Sequence, residues 1–241
     1  MVPDSELEPW QVIERQQRLA EWRARADLPL RHRATTFDAF VVAMPQQERV
    51  LKSLKTYASN FPTERAAGRG LILSGPPGTG KTMLCAALIH DVLAQGFRAR
   101  YTTAAAAQRA LRATWSREAR QTEAEVLAGY VSSDLLVIDE AGNEGDRGTL
   151  FDLVDGRYSA ARPTVVITNA APKELAQTLG ARVVDRLGEA GGQVLCFPWA
   201  SVRATVDRRH VEPAAASVDL SFSDIRRHVH RSACDDSGFV C

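Results

Sequence analysis

The chain has 241 residues, 45% of them hydrophobic and 24% charged, and its 30 basic and 29 acidic side chains leave a formal charge of +1. This composition excludes wholesale disorder, a collagen-like repeat and a disulfide scaffold, and the length allows one large domain with appendages or two small ones. The near-neutral balance confines any polyanion site to a local patch.

The longest apolar runs, such as Leu135 to Ile138 and Val165 to Ile167, fall far short of the roughly 18 residues that cross a bilayer, so no membrane association is expected. The acidic start Met1-Val-Pro-Asp-Ser-Glu lacks the basic and apolar parts of a secretory signal, which gives a cytoplasmic expectation. Cys85, Cys196, Cys234 and Cys241 form no CxxC pair, and the spacing of His228, His230, Cys234 and Cys241 matches no common zinc finger. They read as packing and tail residues.

Glu6 to Ala26 is polar with apolar residues at Leu7, Trp10, Ile13, Leu19 and Trp22, a spacing that predicts one helix. Pro29 ends it, and a basic linker, Leu30 to Thr36, leads to Phe37-Asp-Ala-Phe40, where a compact domain starts. The predicted divisions are 1–35 as an amino-terminal helix and linker that could bind a partner, 36–210 as the main domain, and 211–241 as a flexible tail rich in Ala, Ser, Asp, Arg and His. A short helix over 222–230 is the alternative for the tail. Residues 45–60 form a helix with Val50, Leu51, Leu54 and Tyr57 on one face, followed by a loop containing Pro62, Gly68 and Gly70. Strands are expected at 70–74, 98–102, 135–138, 164–168 and 194–197, separated by helical segments, one of which runs to about Gln95. That alternation predicts an α/β fold with a parallel five-stranded sheet between helices.

Gly75-Pro76-Pro77-Gly78-Thr79-Gly80-Lys81-Thr82 fits GxxxxGK[ST] at every position and lies between a buried strand and an apolar helix. Glycines let backbone N–H groups close around phosphate oxygens, and the helix that follows adds its positive end. Gly75 through Met83 are therefore the expected nucleotide cradle, with Lys81 on the β and γ phosphates and the Thr82 hydroxyl on magnesium. Leu135-Leu-Val-Ile-Asp139-Glu140 ends a buried strand in two carboxylates. Asp139 would hold magnesium through its water shell, and Glu140 would polarise the water that attacks the γ phosphate of ATP. Asn169, at the end of Thr164 to Thr168, is either a turn residue or a group that positions that water.

These residues resemble the AAA+ helicase-loader family, the DnaC/DnaI group, and the related IstB-type transposition helpers. The resemblance covers residues 10–207 and rests on Phe37-Asp-Ala-Phe40, the P-loop, Leu135 to Glu140, Arg162-Pro-Thr-Val-Val-Ile-Thr-Asn169, Leu179-Gly-Ala-Arg-Val-Val-Asp-Arg186-Leu and Phe197-Pro-Trp-Ala-Ser-Val-Arg203. It implies an AAA+ P-loop fold, and it makes Asn169 the sensor 1 residue, Arg186 the arginine finger offered to a neighbouring subunit, and Arg203 the sensor 2 arginine acting within its own subunit. Arg182, one turn before Arg186, is the second finger candidate. A finger supplied in trans implies self-association.

Between Arg98 and Arg120 there are six arginines and one acidic residue, Glu118, a local balance of +5. A helix here would align Arg109 with Arg112 and Arg117 with Arg120, with Tyr101 and Trp115 free to stack on bases. The resemblance places single-strand DNA contacts here, with Arg109, Arg112, Trp115 and Arg117 the candidates; a solvated basic helix, and Trp115 as core, are the plain alternatives. Typical loaders carry a longer amino-terminal domain than the 35 or so residues before Phe37. The leading expectation is a magnesium-dependent ATPase that binds single-stranded DNA and a replicative helicase. An IstB-like helper that binds duplex DNA and recruits a transposase is the alternative; a nucleotide-binding switch without catalysis and a small-molecule kinase are further ones.

Overall fold

A computed structural model of the chain describes residues 8–189 and 191–201. Arg203, the tail beyond it, and with them His228, His230, Cys234 and Cys241, lie outside the described residues. Helix α1 spans Pro9–Arg25, with proline at its first turn and the Glu8 N–H capped by Gln11 Oε1 at 2.8 Å. Leu19 and Trp22 are half-buried, whereas Trp10 and Ile13 face solvent. The linker folds as two short 3-10 turns, Leu30–His32 and Phe37–Ala39. Helix α2, Pro45–Ser59, follows with Val50, Leu54 and Tyr57 buried.

The expected loop around Pro62 is instead a helix, α3, over Phe61–Ala67. Proline is well suited to a first helical turn because its missing N–H would have no intrahelical partner there, so Pro62 starts this helix and does not interrupt one. Gly68, with φ of 65°, ends it.

The remaining elements alternate as the sequence predicts: β1 Leu71–Ser74, α4 Lys81–Ala94, β2 Ala99–Thr103, α5 Ala104–Ala113, α6 Glu123–Val131, β3 Leu135–Asp139, α7 Arg147–Ser159, β4 Thr164–Thr168, α8 Leu175–Leu179, α9 Ala181–Glu189 and β5 Gln193–Cys196. The five strands are parallel in the order β2-β3-β4-β1-β5. Side chains alternate between faces along each strand. Leu71, Leu73, Val137 and Val165 pack with α1, α2 and α4, while Ile72, Leu136, Ile138 and Val166 pack with α5 through α9. Both faces are covered, which explains why these strands read as continuous apolar runs. Ala26 and Leu28 are buried in the first of these clusters, so packing continues across the predicted boundary at 35. Among the described residues no helix is long and apolar enough to cross a membrane.

Arg157 on α7 is fully buried and fastens the lower ends of two strands. Its guanidinium donates to Thr164 Oγ1 at 3.0 Å and to the carbonyls of Tyr130, Ser133 and Pro163 at 2.8, 3.0 and 2.6 Å. Burial without a carboxylate partner pushes its pKa down to about 9, aided by the nearby Arg162 and Arg65. At neutral pH it still carries its proton and serves as a cross-linking donor.

Candidate nucleotide site

The parallel order places the carboxyl ends of β1, β3 and β4 side by side, the edge where open α/β sheets bind ligands. A cavity of about 360 Å³ opens there, lined by Pro77, Gly78, Gly80 to Met83, Tyr101, Asp139, Glu140, Ile167 to Asn169, and, from the linker, Arg31 and His32. Gly75 to Gly80 wrap one side of it and α4 starts at Lys81.

The tight course of this loop depends on glycine. Gly80 has φ of 96°, and a Cβ there would meet the Phe40 ring at 2.7 Å. At Gly75 a Cβ would strike the Phe197 carbonyl. The segment after β5 supports the loop from below: Phe197 packs on Trp199 with centroids 5.0 Å apart, and the Trp199 indole donates to Thr79 O at 3.1 Å.

Lys81 is 6% exposed, and its ammonium donates to Gly75 O at 2.5 Å, Pro76 O at 2.7 Å and Asn169 Oδ1 at 3.1 Å. Thr82 Oγ1 donates to Asp139 Oδ2 at 2.7 Å, so the two predicted magnesium groups meet directly. This oxygen pair suits a hard cation that keeps several waters and binds through one or two protein groups plus phosphates. Asp139 is buried, and its Oδ1 accepts the Glu140 N–H at 2.7 Å. Glu140 is exposed to the cavity and has φ of 56°, a left-handed conformation costing about 1–3 kcal/mol in a non-glycine residue. That turn redirects the chain immediately after Asp139.

The sequence leaves the Tyr101 ring free to stack on bases. It is buried instead, with its hydroxyl donating to Asp139 Oδ2 at 2.9 Å. β2 lies beside β3, and the alternation of side chains turns residue 101 inward. Burial and the adjacent Asp139 carboxylate push the Tyr101 hydroxyl far above the ordinary phenol range, so it remains a donor. Cys85, one turn along α4 from Lys81, is buried and pushed up for the same two reasons.

Arg186 lies on α9 and is not part of its own chain's cavity lining. Its Nε donates to Asp155 Oδ1 at 3.0 Å, Nη1 lies 3.7 Å from Glu189, and the guanidinium covers the Tyr158 ring at 4.4 Å. Arg182 faces the same helix, α7, with its guanidinium 5.9 Å from the Phe151 ring. The two finger candidates share one face, as the four-residue spacing requires. Arg203 lies outside the described residues.

The predicted cationic stripe is divided. Arg109 and Arg112 are exposed on α5, but that helix stops at Ala113, and Arg117 and Arg120 lie in the turns before α6. Thr114 Oγ1 donates back to Leu111 O at 2.7 Å, and side chains of this type favour such local turns at helix ends. Trp115 is 71% exposed, so the reading as core is overturned. Arg98 and Arg100, counted in the same basic segment, are engaged elsewhere: Arg98 with Asp134, and Arg100 with Asp27 and the Tyr130 ring.

The motifs predicted Lys81, Thr82, Asp139, Glu140 and Asn169, and the fold brings all five to one cavity. They did not predict Tyr101, Arg31, His32 or Trp199 as neighbours of the site. Two of them left a trace in the sequence: Tyr101, a polar aromatic within an expected strand, and Trp199, inside the Phe197 to Arg203 segment on which the resemblance rests.

The IstB-like ATP binding protein family model matches residues 7–187. The replicative helicase loader DnaC of Escherichia coli strain K12 is 32% identical over 179 residues, covering 73% of this chain and 71% of the relative. A crystal structure of the DnaC helicase loader superposes with a TM-score of 0.62 at 23% identity, covering 70% of this chain and 99% of that one. The AMPPCP-bound DnaA of Aquifex aeolicus superposes with a TM-score of 0.56 at 21% identity, over 70% of this chain and 51% of that one. The fold is that of an AAA+ P-loop NTPase, and the chain belongs to the family of IstB-like ATP binding proteins and is related to the replicative helicase loader DnaC.

Proposed function

We propose that the chain is a magnesium-dependent ATPase that assembles on single-stranded DNA and loads a replicative helicase. One observation carries the catalytic part: Lys81, Thr82, Asp139, Glu140 and Asn169 line a single cavity, with Lys81 bonded to Asn169 and Thr82 to Asp139. The similarity to DnaC supports the loader role.

Lys81 and the N–H groups of Gly78 to Thr82 would hold the phosphates, and Thr82 with Asp139 would hold magnesium. Magnesium held by Thr82 and Asp139 would supply positive charge to offset the negative charge that builds on the transferred phosphoryl group. Glu140, exposed to the cavity, orients the attacking water and accepts its proton, and Asn169 fixes the direction of approach from the adjacent strand. Arg186 is fixed on α9, away from its own cavity, which favours its use on the nucleotide of a second copy. Turnover would then depend on assembly, and Arg203, outside the described residues, would be the sensor 2 arginine that the resemblance implies.

Arg109, Arg112, Trp115 and Arg117 form the exposed surface for single-stranded DNA: cations for the backbone and an indole for a base. The segment 1–35 would reach the helicase, and the exposed Trp10 and Ile13 are its apolar contacts. The test is ATPase activity of the unaltered chain and Lys81→Ala, with and without magnesium and single-stranded DNA; equal rates reject the mechanism.

The family match favours a second reading, a transposition helper that binds duplex DNA and recruits a transposase. Competition between single and double strands, followed by pulldown with helicase or transposase, separates the two.

A further inference from the structure

Asp139 can be accounted for atom by atom. An ionised carboxylate offers about four acceptor positions, two on each oxygen. Oδ2 is filled by two hydroxyls, Thr82 at 2.7 Å and Tyr101 at 2.9 Å, and Oδ1 accepts the Glu140 N–H at 2.7 Å. One position remains, on Oδ1. We propose that Tyr101 is a positioning residue of the metal site, holding Oδ2 so that Oδ1 is presented to the water shell of magnesium; this rests on Asp139 being the magnesium carboxylate.

The physical need for a second donor follows from the first. Thr82 is itself the expected metal ligand, so its hydroxyl oxygen must face the cation while its O–H still donates to Asp139 Oδ2. If it were the only group on Oδ2, any movement of Thr82 toward the metal would leave the Glu140 N–H on Oδ1 as the one contact fixing a carboxylate whose terminal torsion is broad and two-fold. Tyr101 removes that freedom because it does not move with the metal. Its ring is 7% exposed, its strand pairs with β3 opposite Val137, and its own N–H donates to Ala26 O at 2.8 Å. Phenylalanine would fill the same space. Only the hydroxyl reaches Asp139, donating to Oδ2 at 2.9 Å.

The decisive variant is Tyr101→Phe, which keeps the ring and deletes one oxygen. Binding of a fluorescent ATP analogue is measured during magnesium titration and again in EDTA, with Asp139→Asn as the control. Outer-sphere partners of metal ligands commonly account for about 10- to 100-fold in affinity, so the Tyr101→Phe magnesium midpoint should rise about tenfold. Binding in EDTA and the melting temperature should stay close to those of the unaltered chain. A Tyr101→Phe midpoint unchanged while Asp139→Asn shifts would overturn the role of Tyr101 and leave the metal site standing. Loss of EDTA binding in parallel would assign the hydroxyl to packing and also overturn it. An unchanged midpoint in both variants would remove Asp139 from the metal site, and the proposal with it.

Discussion

The Lys81 ammonium donates to Asn169 Oδ1 at 3.1 Å, joining the phosphate loop to the end of the neighbouring strand β4 across 88 positions of sequence. Two residues with separate expected roles, phosphate binding and water orientation, are therefore in one hydrogen-bonded unit.

Their separation is testable. Lys81→Ala should abolish detectable ATP binding, whereas Asn169→Ala should leave affinity within a few-fold and slow hydrolysis roughly 100-fold, the scale expected for a misdirected attacking group. Equilibrium binding and single-turnover rates on the two variants distinguish these outcomes. A loss of affinity in Asn169→Ala equal to that in Lys81→Ala would show that Asn169 acts only by placing the lysine.

Arg186 is held by Asp155 and Glu189 on the face it shares with Arg182. Arg186→Ala should bind ATP normally and lose about a thousandfold in turnover, the range of arginine fingers. Mixing Arg186→Ala with Lys81→Ala should restore part of the activity, because one chain keeps the cradle and the other keeps the finger. No recovery in the mixture would place the action of Arg186 within its own subunit.

For the basic surface, the salt dependence of single-strand binding is the measurement. Each of Arg109→Ala, Arg112→Ala and Arg117→Ala should lower the slope of log affinity against log salt by about one if it contacts a phosphate. Trp115→Ala should leave the slope unchanged and cost about 1–3 kcal/mol, the value of one stacked base.

Acid stability should depend on Asp134. Burial raises its pKa, but the Arg98 N–H at 2.9 Å and the guanidinium groups of Arg65 and Arg162 outweigh that and hold it below the usual carboxylate range. A depressed folded pKa adds stability that is fully present above the unfolded value, about 3.9, and is lost as pH falls through the folded one. Asp134→Asn should lower the melting temperature at pH 7 and flatten the decline below about pH 4. Melting curves between pH 2.5 and 7 check both, and a decline as steep as in the unaltered chain would assign acid loss to other groups.

The P-loop, the acidic strand end and the alternation of strands and helices along the chain could be read directly because each depends on local chemistry. Glycines at 75, 78 and 80 permit a turn that few other residues allow, and strands buried on both faces must be apolar throughout. From the sequence, Phe61–Ala67 reads as a loop and not as the helix it forms, because proline and a nearby glycine mark both a loop and the two ends of a short helix.

What the residues determined alone was the kind of site: a phosphate cradle, a cation pair and a water-directing acid, fixed by residue type at short spacing. The tertiary structure decided which distant groups complete it. Tyr101 reaches Asp139 only because β2 falls beside β3 in register, Asn169 meets Lys81 only because β4 neighbours β1, and Arg186 points away from its own cavity only because α9 packs on α7. Those relations arise from sheet order and side-chain direction, which strand sequences of similar apolar character do not encode one at a time.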